Sequence, residues 1–155
     1  MSSNDKVVIN GLDGFRRMVG QSIGPSRPIE LTQERIESFC RAVDNDEWFH
    51  FDKERCIAEG LGATIAPGML TQAYFSKQWF EMVDIVDVSR MLLLGSDKVR
   101  LLAPLKCGQS FTMTATIARV EEKENGIAVY LDVVWQATGQ ERPIAVATFI
   151  IRYMD

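Results

Sequence analysis

Met69–Val83, MLTQAYFSKQWFEMV, is the stretch whose reading decides the fold. Read as a helix that starts after Ala66-Pro67-Gly68, it carries apolar side chains on more than one face: Met69, Leu70, Ala73, Tyr74, Phe75, Trp79, Phe80, Met82 and Val83. A helix that is apolar on several sides must be covered on several sides, so its aromatic residues read first as core packing. Something else in the chain has to wrap it.

The residues that follow can do so. From Val88 onward the hydrophobic period changes from helical to two. In SFTMTATIARV (110–120), Phe111, Met113 and Ile117 alternate with threonines, and in GIAVYLDVVWQAT (126–138), Val129, Leu131, Val133 and Trp135 share one side. Alternation of this kind marks half-buried strands. Asn125-Gly126 lies between these two runs, and both residues tolerate the positive φ of a tight hairpin. PIAVATFIIRYM (143–154) reads as a last strand. Long antiparallel strands and one very apolar helix give an α+β fold, with the sheet curled around the helix.

Upstream, GLDGFRRMVGQ (11–21) reads as a short helix ending near Gly20, and RPIE (27–30) as a brief extended piece. Thr32 is placed to cap a helix over QERIESFCRAV (33–43), in which Ile36, Phe39, Cys40 and Val43 recur at helical spacing. No internal repeat, low-complexity tract or linker divides the 155 residues, a length that suits one domain.

Composition narrows the function classes. Apolar residues make up 46% and charged residues 25%, with a net charge of −4 and no basic stripe, which argues against nucleic acid and anionic membrane as partners. No apolar run has bilayer-spanning length, and MSSNDKVVING (1–11) lacks the basic and apolar blocks of a signal peptide. The expectation is a cytoplasmic protein. Cys40, Cys56 and Cys107 read as reduced, mostly buried thiols. One histidine and three scattered cysteines do not supply the four well-spaced ligands of a zinc site, so no metal is expected.

That histidine, His50, stands in NDEWFHFD (45–52), in the loop after the Thr32-capped helix. Histidine exchanges a proton near neutral pH and suits acid–base work. Acidic neighbours could orient its ring, and Trp48 and Phe49 point to a partly dry pocket. The helix start at Ala66-Pro67-Gly68 follows within twenty residues. Amides at a helix N-terminus can hold a carbonyl oxygen that gains negative charge. A base and an oxyanion donor in one loop-and-helix unit make a candidate site without naming a reaction.

With those residues in place, LTQERIESFCRAVDNDEWFHFDKERCIAEGLGATIAPGML (31–70) resembles the hydratase signature of the MaoC-like dehydratases, the (R)-specific enoyl-CoA hydratases of the hotdog-fold superfamily. SDKVRLLAPLKCGQSF (96–111) is similar to a second segment of that family, and the likeness runs from about Gly11 to Tyr153. It implies one hotdog domain over residues 1–155, an acyl-CoA thioester as substrate, a homodimer, and no separate cofactor, since coenzyme A belongs to the substrate. The reaction implied is addition of water to a 2-enoyl-CoA, or its reverse. The family's catalytic histidine falls on His50, its oxyanion-hole glycine on Gly68 and its active-site serine on Ser76.

The position of the family's catalytic aspartate holds Asn45, that of a flanking glycine Asp44, and the position three before the histidine Glu47. Asparagine can hold a water but cannot take its proton. Three readings follow. His50 is the sole base; or Asp44, Glu47 or, nearest to the role, Asp46 replaces the aspartate; or the protein binds thioesters without efficient hydration. Trp48 and Glu47 are then expected beside the substrate. Thioesterase chemistry, with Asp46 or Glu47 activating water, is the competing enzyme class, and a non-catalytic acyl-CoA-binding subunit is the third. Lys98 and Arg100 are candidate phosphate partners, although alternation on an exposed strand accounts for them equally.

Overall fold

The computed structural model describes residues 6–155. In chain order its elements are β1 (Val7–Asn10), α1 (Gly11–Arg17), β2 (Ser22–Ile23), β3 (Ile29–Glu30), α2 (Gln33–Ala42), a 3₁₀ turn (Trp48–His50), α3 (Lys53–Ala58), α4 (Gly68–Ala73), α5 (Phe75–Met82), β4 (Val83–Val86), β5 (Arg90–Leu101), β6 (Ser110–Lys123), β7 (Gly126–Ala137) and β8 (Ala145–Met154). The main sheet runs β2-β6-β7-β8-β5, with β3 also on β6, and every pairing in it is antiparallel. β1 and β4 form a small parallel pair. This is the α+β hotdog arrangement, an antiparallel sheet wrapped around a central helix.

The alternating residues of the sequence explain which face is covered. Phe111, Met113 and Ile117 on β6 and Val129, Leu131, Val133 and Trp135 on β7 are all buried. They meet the central helix. Phe75 stacks on Phe149 of β8 with ring centres 3.9 Å apart, and Trp79 Nε1 donates to the Tyr153 hydroxyl at 3.2 Å. The fully buried Gln78 accepts from Trp135 Nε1 (3.0 Å) and donates to Ser26 Oγ (3.1 Å), which in turn accepts from the Met113 amide (3.0 Å). A buried amide with both ends paired fixes the helix on the sheet without leaving an unsatisfied group.

The hairpin forms where Asn125-Gly126 stands, with φ of 59° and 141°. A Cβ on Gly126 would lie 2.1 Å from the carbonyl oxygen of Tyr153, so the close approach of β8 requires glycine there. Thr32 caps α2 through a 3.3 Å bond from the Arg35 amide.

One feature differs from the sequence reading. The central helix is interrupted at Tyr74, which joins α4 to α5, and it ends at Met82 because Val83 pairs with Val7 in β4. The Tyr74 amide turns back to Thr71 O, an i−3 bond, while Arg35 Nη1 on α2 holds the tyrosine hydroxyl at 3.0 Å. β5 is a strand, as the period of two after Val88 predicts. It forms the sheet edge beyond β8, and Leu92, Leu93 and Leu94 are exposed. Among the described residues, no helix is long and apolar enough to cross a membrane.

Candidate active site

The site begins with how α2 ends. Asp44 lies in the left-handed region (φ 53°), the Asn45 amide reaches back to Cys40 O at 2.9 Å and the Asp44 amide toward Arg41 O at 3.5 Å. These are the two backbone bonds of a Schellman motif, whose left-handed position is usually glycine and is tolerated by aspartate. The motif turns the chain sharply, so that Asn45 comes onto the wall of a cavity while its acidic neighbours stay outside. The Glu47 amide donates to Asn45 Oδ1 at 3.2 Å and starts the 3₁₀ turn that carries His50 inward.

His50 is 4% exposed. Its Nδ1 lies 2.7 Å from the carbonyl oxygen of Ile65. A carbonyl can only accept, so Nδ1 carries the hydrogen and the neutral ring keeps its lone pair on Nε2. The backbone is fixed as well: Gln33 Nε2 donates to His50 O at 2.8 Å and to Glu37 Oε1 at 3.1 Å, and Gln33 Oε1 accepts from the Thr64 hydroxyl at 2.5 Å. The Ile65 amide donates to Phe49 O at 3.0 Å, and the Ala66 amide to Leu105 O at 2.8 Å. α2, the 3₁₀ turn and the 64–66 segment are thus tied into one frame around the imidazole.

The cavity beside it has a volume of about 810 Å³. Asn45, His50, Gly68 and Thr71 lie on its wall among apolar side chains from Phe39, Phe49, Leu102 and Ile144. Gly68 is the first residue of α4, so its N–H has no acceptor within the helix. It also lies under the side chain of Leu101: a Cβ there would come 2.1 Å from Leu101 Cδ1. The side chain of Leu101, which is exposed, occupies the place that Cβ would take.

Of the residues singled out in the sequence, Asn45, His50 and Gly68 meet at the cavity. Asp46 and Glu47 are exposed and do not line it. Trp48 packs outward, with the Arg55 guanidinium 4.0 Å above its ring. Ser76 lies beyond the break at Tyr74, on the exposed side of α5 and away from the cavity wall. The hydroxyl-bearing residue of the central helix on that wall is Thr71, one turn after Gly68 and 4% exposed. Its spacing from Gly68 was the available signal. Gln33 and Thr64 carried no comparable signal, because their role depends on contacts distant in sequence. Asp52 caps α3 by accepting from the Arg55 amide at 2.9 Å, and Lys98 and Arg100 are exposed on β5 outside the cavity. Among the described residues, no three His, Cys, Asp or Glu side chains converge as metal ligands would.

A sheet wrapped around a helix, with a buried histidine beside the start of that helix, defines a protein of the MaoC-like hotdog dehydratase class. The fold matches the (R)-hydratase from A. caviae involved in PHA biosynthesis with a TM-score of 0.71 at 15% identity, over 86% of this chain and 94% of that one. It matches the MaoC-like dehydratase from Rhodospirillum rubrum with a TM-score of 0.71 at 14% identity, over 88% and 93%. The chain belongs to the FAS1-like, dehydratase domain region family, whose model matches residues 17–148. Among curated proteins it is 31% identical over 136 residues to 3-hydroxyacyl-thioester dehydratase Z of Mycobacterium tuberculosis, covering 87% of this chain and 90% of that protein.

Proposed function

We propose that this protein is a hydro-lyase acting on acyl thioesters, adding water to a 2-enoyl-CoA or removing it from the 3-hydroxyacyl-CoA. One observation carries the reading: a buried histidine, its Nδ1 committed to Ile65 O, lines an apolar cavity that can hold an acyl chain. The name of the 31%-identical relative, a 3-hydroxyacyl-thioester dehydratase, supports the same chemistry. His50 is the acid–base group. The Gly68 amide holds the thioester oxygen as it gains enolate character, a role worth about 10²–10³-fold in rate. Thr71 and the apolar wall position the chain. Coenzyme A enters as part of the substrate.

The test uses crotonyl-CoA with two readouts, enoyl absorbance and thiol release. The expected result is absorbance loss without free thiol. Thiol release in step with turnover would replace the reading by thioester hydrolysis, and binding without either signal by a non-catalytic role.

The same reading includes a homodimer. The free edge of β5 carries Leu92, Leu93 and Leu94 in the open, and an unpaired apolar edge invites a second strand. Light scattering on the purified protein is expected to give twice the chain mass, and Leu93→Lys to shift it toward the monomer. A wild-type monomer would contradict this assignment.

A further inference from the structure

His50 is the only titratable side chain among the residues that line the cavity. On its own stretch, Asp44, Asp46 and Glu47 are exposed and Asp52 is committed to capping α3. From α2, Glu37 reaches the Gln33 amide that holds His50 O, and it is ion-paired with Arg41. From α3, the Cys56 thiol donates to Phe49 O. The 64–67 segment, α4, residues 101–105 and residues 144–145 present no acid or base to the cavity. A reaction that needs two proton transfers therefore has one group with which to make them.

Asn45 completes the picture. Its Oδ1 is taken by the Glu47 amide, and its Nδ2 makes no hydrogen bond among the described residues. With Oδ1 engaged, Nδ2 is the donor that the side chain can offer to a ligand in the cavity. We infer that His50 alone carries both proton transfers of the hydration, and that Asn45 is the amide donor that holds the reacting oxygen. This deepens the hydro-lyase reading above and rests on it.

The steps balance with one base. Asn45 Nδ2–H donates to the oxygen of a water. His50 Nε2 takes one proton of that water as its oxygen bonds to C3, and the C2–C3 π electrons move through C2 onto the thioester oxygen. The imidazolium then returns the same proton to C2 as the enolate collapses to the thioester. Water has been added and His50 is neutral again. In dehydration Nε2 removes the C2 proton and delivers it to the C3 hydroxyl, which leaves as water. A single base works from one face, so both new bonds form on the same side of the double bond.

The test follows crotonyl-CoA hydration by the wild type and three variants. Asp46→Asn combined with Glu47→Gln is expected to keep kcat within about twofold, as exposed groups away from the reacting atoms should. Asn45→Leu is expected to lower kcat by about tenfold or more, the loss of an oriented hydrogen bond in a dry site. Asn45→Asp keeps an oxygen for the Glu47 amide and puts a second base on the wall. It is expected to raise kcat by about tenfold or more. A loss above about tenfold in the Asp46/Glu47 variant, an unchanged Asn45→Leu, or an Asn45→Asp no faster than the wild type would overturn the single-base assignment while leaving the hydro-lyase reading intact. A wild type that turns over no enoyl thioester would end both.

Discussion

The two halves of the central helix face the same sheet and do opposite things with it. Under α5 the space is filled: Phe75 lies on Phe149, Trp79 meets Tyr153, and Gln78 has a partner at each end of its amide. Under α4 the sheet and helix part to leave about 810 Å³, walled by His50, Gly68 and Thr71. The break at Tyr74 separates them. The filled half supplies the burial that stabilises the fold, and that burial lets the other half hold a cavity open and keep a buried histidine in one tautomer. Changes in α5 should therefore act on stability first, and changes around α4 on turnover first.

The largest effect expected is in the open half. His50→Ala should lower hydration of crotonyl-CoA by about 10²–10⁴-fold, the usual worth of a positioned proton-transfer group, with little change in melting temperature. A stability loss as large as the activity loss would erase the contrast. Trp79→Ala should do the reverse, costing about 3–5 kcal/mol by chemical denaturation while the folded fraction keeps its specific activity. Gly68→Ala lies between the two. The new methyl group has to displace the exposed side chain of Leu101, at the low end of overpacking costs, about 1 kcal/mol, read mainly as lower kcat/KM. Adding Leu101→Ala should restore part of it, and simple additivity of the two changes would show that the collision is not the cause. The smallest effect belongs to Asp44→Gly. Relieving the left-handed backbone should raise stability by up to about 1 kcal/mol, seen as a higher denaturation midpoint.

The filled half was the more legible in the sequence. Alternation on β6 and β7, the Asn125-Gly126 turn and the Thr32 cap are local signals, and each maps onto an element formed by the residues that carry it. The interruption at Tyr74 has no local mark, neither proline nor glycine, and the tyrosine hydroxyl there meets Arg35 of α2 from 39 residues away. The edge position of β5, with Leu92–Leu94 exposed, likewise depends on a strand order that no local stretch displays. In the open half, the acidic stretch around His50 drew attention to side chains that point outward. Its inward members are Asn45 and His50, sorted by a Schellman turn whose left-handed residue is aspartate instead of glycine. The serine expected in the central helix lies past the break, and Thr71 is on the wall instead. Sequence therefore carried the frame and the histidine, while the partners of that histidine needed the tertiary structure.

The most direct test of the central claim, that the space under α4 is where an enoyl thioester reacts, is a crystal structure of the protein with crotonyl-CoA or its hydration product bound. The expected result is the acyl chain in this cavity, with C2 within about 3.5 Å of His50 Nε2, the separation of a reactive pose, and the thioester oxygen on the Gly68 amide. An acyl chain bound elsewhere, or one in the cavity with His50 out of reach of C2 and C3, would contradict it.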